Sequence, residues 1–151
     1  MSTVDHIFLR TGLPPAEAAQ RIADTLGMSV AERRGRTIVS AELPDQPGVV
    51  GGDVDVNVYG NDPEERSVLD GYDTAWAIRS TVNDEALVHR EAKAIFHRLT
   101  DKLPWPALLV RNHAWLVSAW HPQHGRRDLP EGVTPEAKDE QYWAPYALPP
   151  A

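Results

Sequence analysis

Residues 51–61 read GGDVDVNVYGN. In an extended backbone successive side chains point to opposite faces, so this run sends Asp53, Asp55, Asn57 and Tyr59 to one side and Val54, Val56 and Val58 to the other. Alternation of polar residues with β-branched ones predicts a half-buried strand, its valines on a core and its two carboxylates in solvent. Asn61, Asp62 and Pro63 mark its expected end. Gly51 and Gly52 let the chain turn into it from a loop over residues 44–52. The next alternating run, YDTAWAIRS at residues 72–80, places Tyr72, Thr74, Trp76 and Ile78 opposite Asp73, Ala75, Ala77 and Arg79. Consecutive strands are usually neighbours, so the two runs are expected to pair antiparallel.

Working outward, residues 6–10 (HIFLR) read as an opening strand. A helix follows: Pro15 suits its first position, Glu17 its first turn and Gly27 its stop. Ala19, Ile22, Ala23 and Leu26 share one face of it, with Glu17 and Arg21 outside. Arg33, Arg34 and Gly35 form a polar turn before the β-branched run Thr37, Ile38, Val39. Beyond residue 80, Asn83 is expected to cap a second helix, with Asp84 and Glu85 complementing its dipole. Val88, Ala92, Ile95, Leu99 and Leu103 make its buried stripe, Phe96 flanks it, and Pro104 and Pro106 end it. ALLV and AWLVSAW then read as two strands joined by a tight turn at Asn112 and His113.

This order predicts an α+β fold: an antiparallel sheet with two helices packed on one face, over residues 1–121. Residues 122–151 hold six of the 13 prolines and few aliphatic residues, so an extended Pro-rich C-terminal tail without its own core is expected. Thr134 and Pro135 start a short helix within it, which Tyr142, Trp143 and Tyr146 pin either to the body or to a partner.

A chain of 151 residues, 42% hydrophobic, has the size of one globular domain. It has no cysteine, which removes disulfides, thiolate zinc sites and cysteine nucleophiles. The N-terminus shows no basic leader with an apolar run and no long apolar window occurs anywhere, so a cytoplasmic protein with no membrane contact is expected. The net charge of −7 argues against nucleic acid, since phosphate binding needs a basic surface.

Between Glu42 and Asp73 nine acids stand against Arg66 alone, a net of −8, while the rest of the chain is near +1. A localised negative field steers a cationic partner and repels polyanions. This concentration nominates Asp53, Asp55, Asp62, Glu64, Glu65, Asp70 and Asp73 as partner contacts. Trp105 and Trp143, at proline-flanked positions, are the aromatic anchors expected beside them. Trp115 and Trp120, five apart in the last strand, are expected on opposite faces, leaving one exposed.

Specific chemistry is less evident. Asp53, Asp55 and Asn57 lie roughly 7 Å apart on one strand face, too far to chelate one ion unaided. DVDVNVYG approaches the calcium-loop pattern, but its glycine comes two positions late. His121 and His124 flank a proline and read as loop, and His89 and His97 as a solvated helix face. No GxSxG, HExxH, phosphate loop or GxGxxG occurs. No metal and no cofactor are therefore expected. The alternative reading is a small enzyme or ligand-binding domain using Asp55, Asp73 or a histidine in a sheet-lined pocket.

The succession of a strand, the LPPAEAAQRIADTLG helix, the VDVNVYG and YDTAWAIRS strands, a helix ending in IFHRL and a PALLVRN hairpin resembles the small α+β immunity proteins of bacterial polymorphic toxin systems. The likeness is one of layout over residues 5–120. It implies a protein that is not an enzyme but a stoichiometric inhibitor, a monomer or weak dimer, that binds a cognate, basic toxin domain in the cytoplasm of the producing cell.

Overall fold

The strands predicted from alternation belong to one sheet. The computed structural model describes residues 3–60 and 62–150. The element order is β1 (Asp5–Leu9), α1 (Pro15–Leu26), β2 (Ser29–Arg33), β3 (Arg36–Glu42), β4 (Val49–Val56), β5 (Thr74–Ser80), α2 (Glu85–Lys102), β6 (Ala107–Arg111), β7 (Trp115–His121), β8 (Gly125–Asp128) and α3 (Glu140–Trp143). The eight strands are ordered β2-β3-β4-β5-β1-β6-β7-β8, and every neighbouring pair is antiparallel. The expected pairing of the two quoted runs is present, with Val54 opposite Trp76 and Asp55 opposite Ala75.

Both long helices lie on one face. Ala18, Ala19, Ile22, Ala23 and Leu26 of α1 and Val88, Ala92, Ile95, Phe96 and Leu99 of α2 are buried. All of them but Val88 form one core with Ile7, Leu9, Val39, Val54, Trp76, Ile78 and Leu109 of the sheet. Gly27 ends α1 in the left-handed region at φ 70°. The cap of α2 is Asp84, one residue beyond the expected Asn83; its carboxylate accepts from the Leu87 N–H at 3.2 Å.

Gly51 and Gly52 lie inside β4 rather than leading into it, because the strand begins at Val49. A Cβ on Gly51 would stand 2.2 Å from the Val39 carbonyl oxygen, and one on Gly52 2.3 Å from that of Ala77. The bare backbone lets three strands close up at this point. The Gly52 carbonyl accepts from the Trp76 indole N–H at 3.2 Å.

The other end of β4 also differs from expectation. The strand stops at Val56, and Asn57 turns into the protein instead of facing solvent beside the aspartates. Its amide nitrogen donates to the carbonyls of Leu69 (3.0 Å) and Tyr72 (2.8 Å), fastening the 3-10 turn Val68–Gly71. Asn61, expected to mark the strand end, lies outside the described residues.

The C-terminal segment is not an extended tail. It forms β8 beside β7, then the 3-10 turn Ala137–Asp139, α3 and the 3-10 turn Ala144–Tyr146, all against the sheet face opposite the helices. Leu129, Val133, Trp143 and Tyr146 join Phe8, Leu108, Val110, Leu116, Ala119, Leu69 and Tyr72 in a second core. Aromatic area supplies here what the scarcity of aliphatic residues seemed to deny. Hydrogen bonds fasten the segment along its length. Leu116 N–H donates to Val133 O (2.8 Å), Val68 N–H to Pro135 O (3.0 Å) and Tyr72 O–H to Tyr146 O (2.8 Å). Arg10 Nη1 reaches both Gly71 O (2.8 Å) and Pro149 O (2.6 Å).

Candidate partner-binding groove

Each acid singled out by charge density has a definite place, and the seven divide into two groups. Four are engaged with their own fold or stand apart. Asp53 faces Arg36 at 3.4 Å on the sheet face opposite the helices. Asp55, exposed, accepts from the backbone N–H of Val56 at 2.7 Å. Asp70 closes a capping box with Ser67 on the Val68–Gly71 turn, its Oδ2 accepting from Ser67 N–H at 3.0 Å.

Asp73 receives hydrogen bonds from the Thr11 and Gly12 N–H groups (3.1 and 2.9 Å) and from the hydroxyls of Thr11 and Thr74 (3.2 and 2.7 Å). Burial alone would raise its pKa, but the hydrogen bonds from Thr74, Gly12 and Thr11 together outweigh it and hold the carboxyl below its usual range. Asp73 thus ties the exit of β1 to the start of β5.

The remaining three, Asp62, Glu64 and Glu65, come together. Asp62 Oδ1 accepts from Glu64 N–H at 2.9 Å, and Glu65 N–H returns to Asp62 O at 3.1 Å, so residues 62–65 form a tight turn. That turn is one wall of a groove of about 840 Å³. The tip of the β6–β7 hairpin, residues 113–115, also lines it, as does the C-terminal segment with Glu136 and Lys138. Tyr59 also lines the groove. The hairpin tip holds its shape through Asn112 and His113, both at positive φ (53° and 60°), as the tight turn predicted from sequence requires.

Charge in the groove is unbalanced. The one base of the acidic segment, Arg66, is turned to Glu140 and lies 5.8 Å from the Trp143 ring centroid. Lys138 pairs with Glu136 at 3.8 Å. No ion pair is formed by Asp62, Glu64 or Glu65 among the described residues.

The aromatic residues beside these acids are not those expected. Trp143 is 0% exposed and donates its indole N–H to Glu136 O at 3.2 Å, so it pins the C-terminal segment to the body and presents nothing to a partner. Trp105 is partly buried against the helix-side core. The groove instead carries Tyr59, 38% exposed; Trp115, 45% exposed, adjoins it at the hairpin but pairs with Arg111 on the helix-side face of the sheet. Strict alternation along β7 would put Trp115 and Trp120 on opposite faces, but a register shift at Leu109 and Val110 sets Trp115 opposite Arg111 and Trp120 opposite Ala107, both on the helix-side face, where Trp115 is the exposed one. Tyr59 gave no signal, because it lies beyond the strand end that Asn57 sets.

Behind Tyr59 and His113 stands His6 of β1, whose ring centroid is 5.4 Å from that of Tyr59, 4.7 Å from that of His113 and 5.7 Å from that of Phe8. Desolvation first, then the nearby His113 and Arg79, push its pKa down to about 4, so the ring is neutral at neutral pH. The other histidines are structural. His89 is half-buried, not on a solvated face; its Nδ1 meets Asp5 at 2.7 Å and its Nε2 meets Glu85 at 3.2 Å, which fastens α2 to β1. His97 is likewise half-buried, and desolvation followed by Arg126 and Lys93 lowers its pKa. His121, the last residue of β7, and His124 in the turn after it have ring centroids 5.0 Å apart.

Among the described residues no group of three or more histidines or acids could hold a metal ion, and no helix is long and apolar enough to cross a membrane. The chain matches no family model, no curated protein and no solved structure.

Proposed function

We propose that this protein is an immunity protein: a stoichiometric inhibitor that captures a basic toxin domain and blocks its activity. The single observation that carries this reading is the convergence of Asp62, Glu64 and Glu65, without cationic partners among the described residues, on one groove that also exposes Tyr59. Unneutralised carboxylates accelerate encounter with a cationic surface, and exposed aromatic residues slow dissociation once the surfaces meet. The layout likeness to immunity proteins supports the same reading. The site is narrower than the acidic segment, since Asp70 and Asp73 serve the fold.

The test is co-purification with the product of the neighbouring gene, followed by titration of that product's activity. A one-to-one loss of activity is expected. Replacing Asp62, Glu64 and Glu65 together by lysine should leave the thermal transition within about 2 °C, as surface changes do, and slow association at least about tenfold at low salt. Unchanged association with unchanged salt dependence would remove the groove from the recognition surface.

A further inference from the structure

A closed ring of four residues ties α2, β1 and the β6–β7 hairpin together. Asp5 Oδ2 lies 2.7 Å from His89 Nδ1, and Glu85 Oε1 lies 3.2 Å from His89 Nε2. Both carboxylates also hold Asn112 in the hairpin turn. Its backbone N–H donates to Asp5 Oδ1 at 3.2 Å, and its side-chain amide donates to Glu85 Oε1 at 3.3 Å. The residues that follow it, 113–115, line the groove. An ionised carboxylate only accepts hydrogen bonds, and a neutral imidazole has a single N–H. Two carboxylates facing one imidazole therefore demand a second proton.

We propose that this second proton is a latch on the hairpin: with it, His89 holds Glu85 and Asn112 is tied by both backbone and side chain, and without it Glu85 lets go and the side-chain tie is lost. Burial decides which contact fails. The Asp5 side chain is 2% exposed and that of Glu85 64%. A buried carboxylate facing an imidazole lone pair has no water to turn to, whereas Glu85 can swing into solvent. The remaining proton stays on Nδ1, toward Asp5, and Nε2 gives its proton up. Glu85 itself remains ionised, because hydrogen bonds from His89 and then Asn112 hold its carboxyl below the usual range. The other charged group beside Glu85 is Arg111 of β6, opposite Asp5 in the sheet. It forms no ion pair among the described residues, so a released Glu85 has a cation to turn to. Lys93, one turn along α2 from His89, is engaged with Asp128 at 3.3 Å. The latched form binds one proton more, so it is favoured in acid and released as pH rises. That the groove loosens with it rests on reading the groove as the recognition surface; the latch itself does not.

The test follows the His89 ring nitrogens and the Asn112 side-chain amide by NMR in the free full chain. The Asn112 signals are identified by their loss in Asn112→Gly, a change that suits the positive φ there. From about pH 5 to about pH 9 the ring should pass from two N–H groups to one, the survivor being Nδ1–H. The Asn112 amide should shift with the same midpoint. A glutamine at position 85 can turn its oxygen to an N–H or its amide nitrogen to a bare ring nitrogen. In Glu85→Gln the Asn112 amide should therefore stop following the ring, with the thermal transition within about 2 °C of native. In Glu85→Ala it should show the released shift at every pH.

An Asn112 amide that ignores the titration of the ring, or that follows it equally in Glu85→Gln, would overturn the latch. A ring with one N–H across the whole range, or with its surviving proton on Nε2, would overturn it as well. These outcomes concern the free chain alone and leave the proposed function standing. Failure to capture the neighbouring gene's product, tested separately, would strike that function and leave the latch in place.

Discussion

A few single residues hold positions that tolerate no substitute. At Gly52 a methyl group would meet the Ala77 carbonyl oxygen at 2.3 Å, and backbone cannot swing aside as a side-chain end can. Gly52→Ala should therefore lower stability by about 2–3 kcal/mol, within the usual cost of overpacking, read as a fall in the urea midpoint; an unchanged midpoint would show that β4 and β5 can separate without cost. His6 makes a second prediction at this scale. Its pKa falls from the ordinary 6.5 to about 4 in the folded chain, so between those values the unfolded chain binds the extra proton. The stability it contributes is complete above about pH 6.5 and is lost as pH drops toward 4. In His6→Leu that part of the acid dependence should disappear, measured as a smaller stability difference between pH 6.5 and pH 4.5 than in the native chain.

Among the elements, the C-terminal segment departs furthest from its sequence. Trp143, fully enclosed by the second core, should cost about 3–5 kcal/mol when replaced by alanine, in the range of large core truncations. Faster hydrogen exchange at the Leu116 amide, which donates to Val133 O, would report the loosening directly. A lesser loss confined to residues 137–146 would mean that the sheet does not depend on this cover. The long helices and six strands were legible because each carries a period: 3.6 in the stripe of α2, two in the β4 and β5 runs. The edge strands β2 and β8 were not, since SVAER and GRRD are largely exposed and bury no alternating face. Charged side chains there also discourage pairing with a further chain. The cover segment was hidden for another reason: its apolar area sits in widely spaced aromatic and branched residues with no period to detect.

At the scale of the whole molecule, the excess of acids along residues 42–73 does not translate into one face. Charge density along a chain could nominate seven acids, but only the fold separates Asp70 and Asp73, turned to backbone donors, from the three that face a groove. Steering depends on that placement, because screening confines an exposed charge to about 10 Å at ordinary salt. Reversing Glu64 and Glu65 should slow partner association at least about tenfold, whereas reversing Glu17 and Asp24 on α1, an equal change in net charge, should alter it by less than about twofold. Stopped-flow rates at two salt concentrations would check this, and equal effects would mean that net charge alone governs the encounter. One last consequence follows from β1, the first strand made and the central one in the sheet, bonded to β5 on one side and β6 on the other. On the ribosome its row of Ile7, Phe8 and Leu9 must wait for β5 to fill one flank and, longer, for Ala107 and the residues after it to fill the other. The flank of β1 that faces β6 is therefore the one left open longer to misassociation while the chain is made.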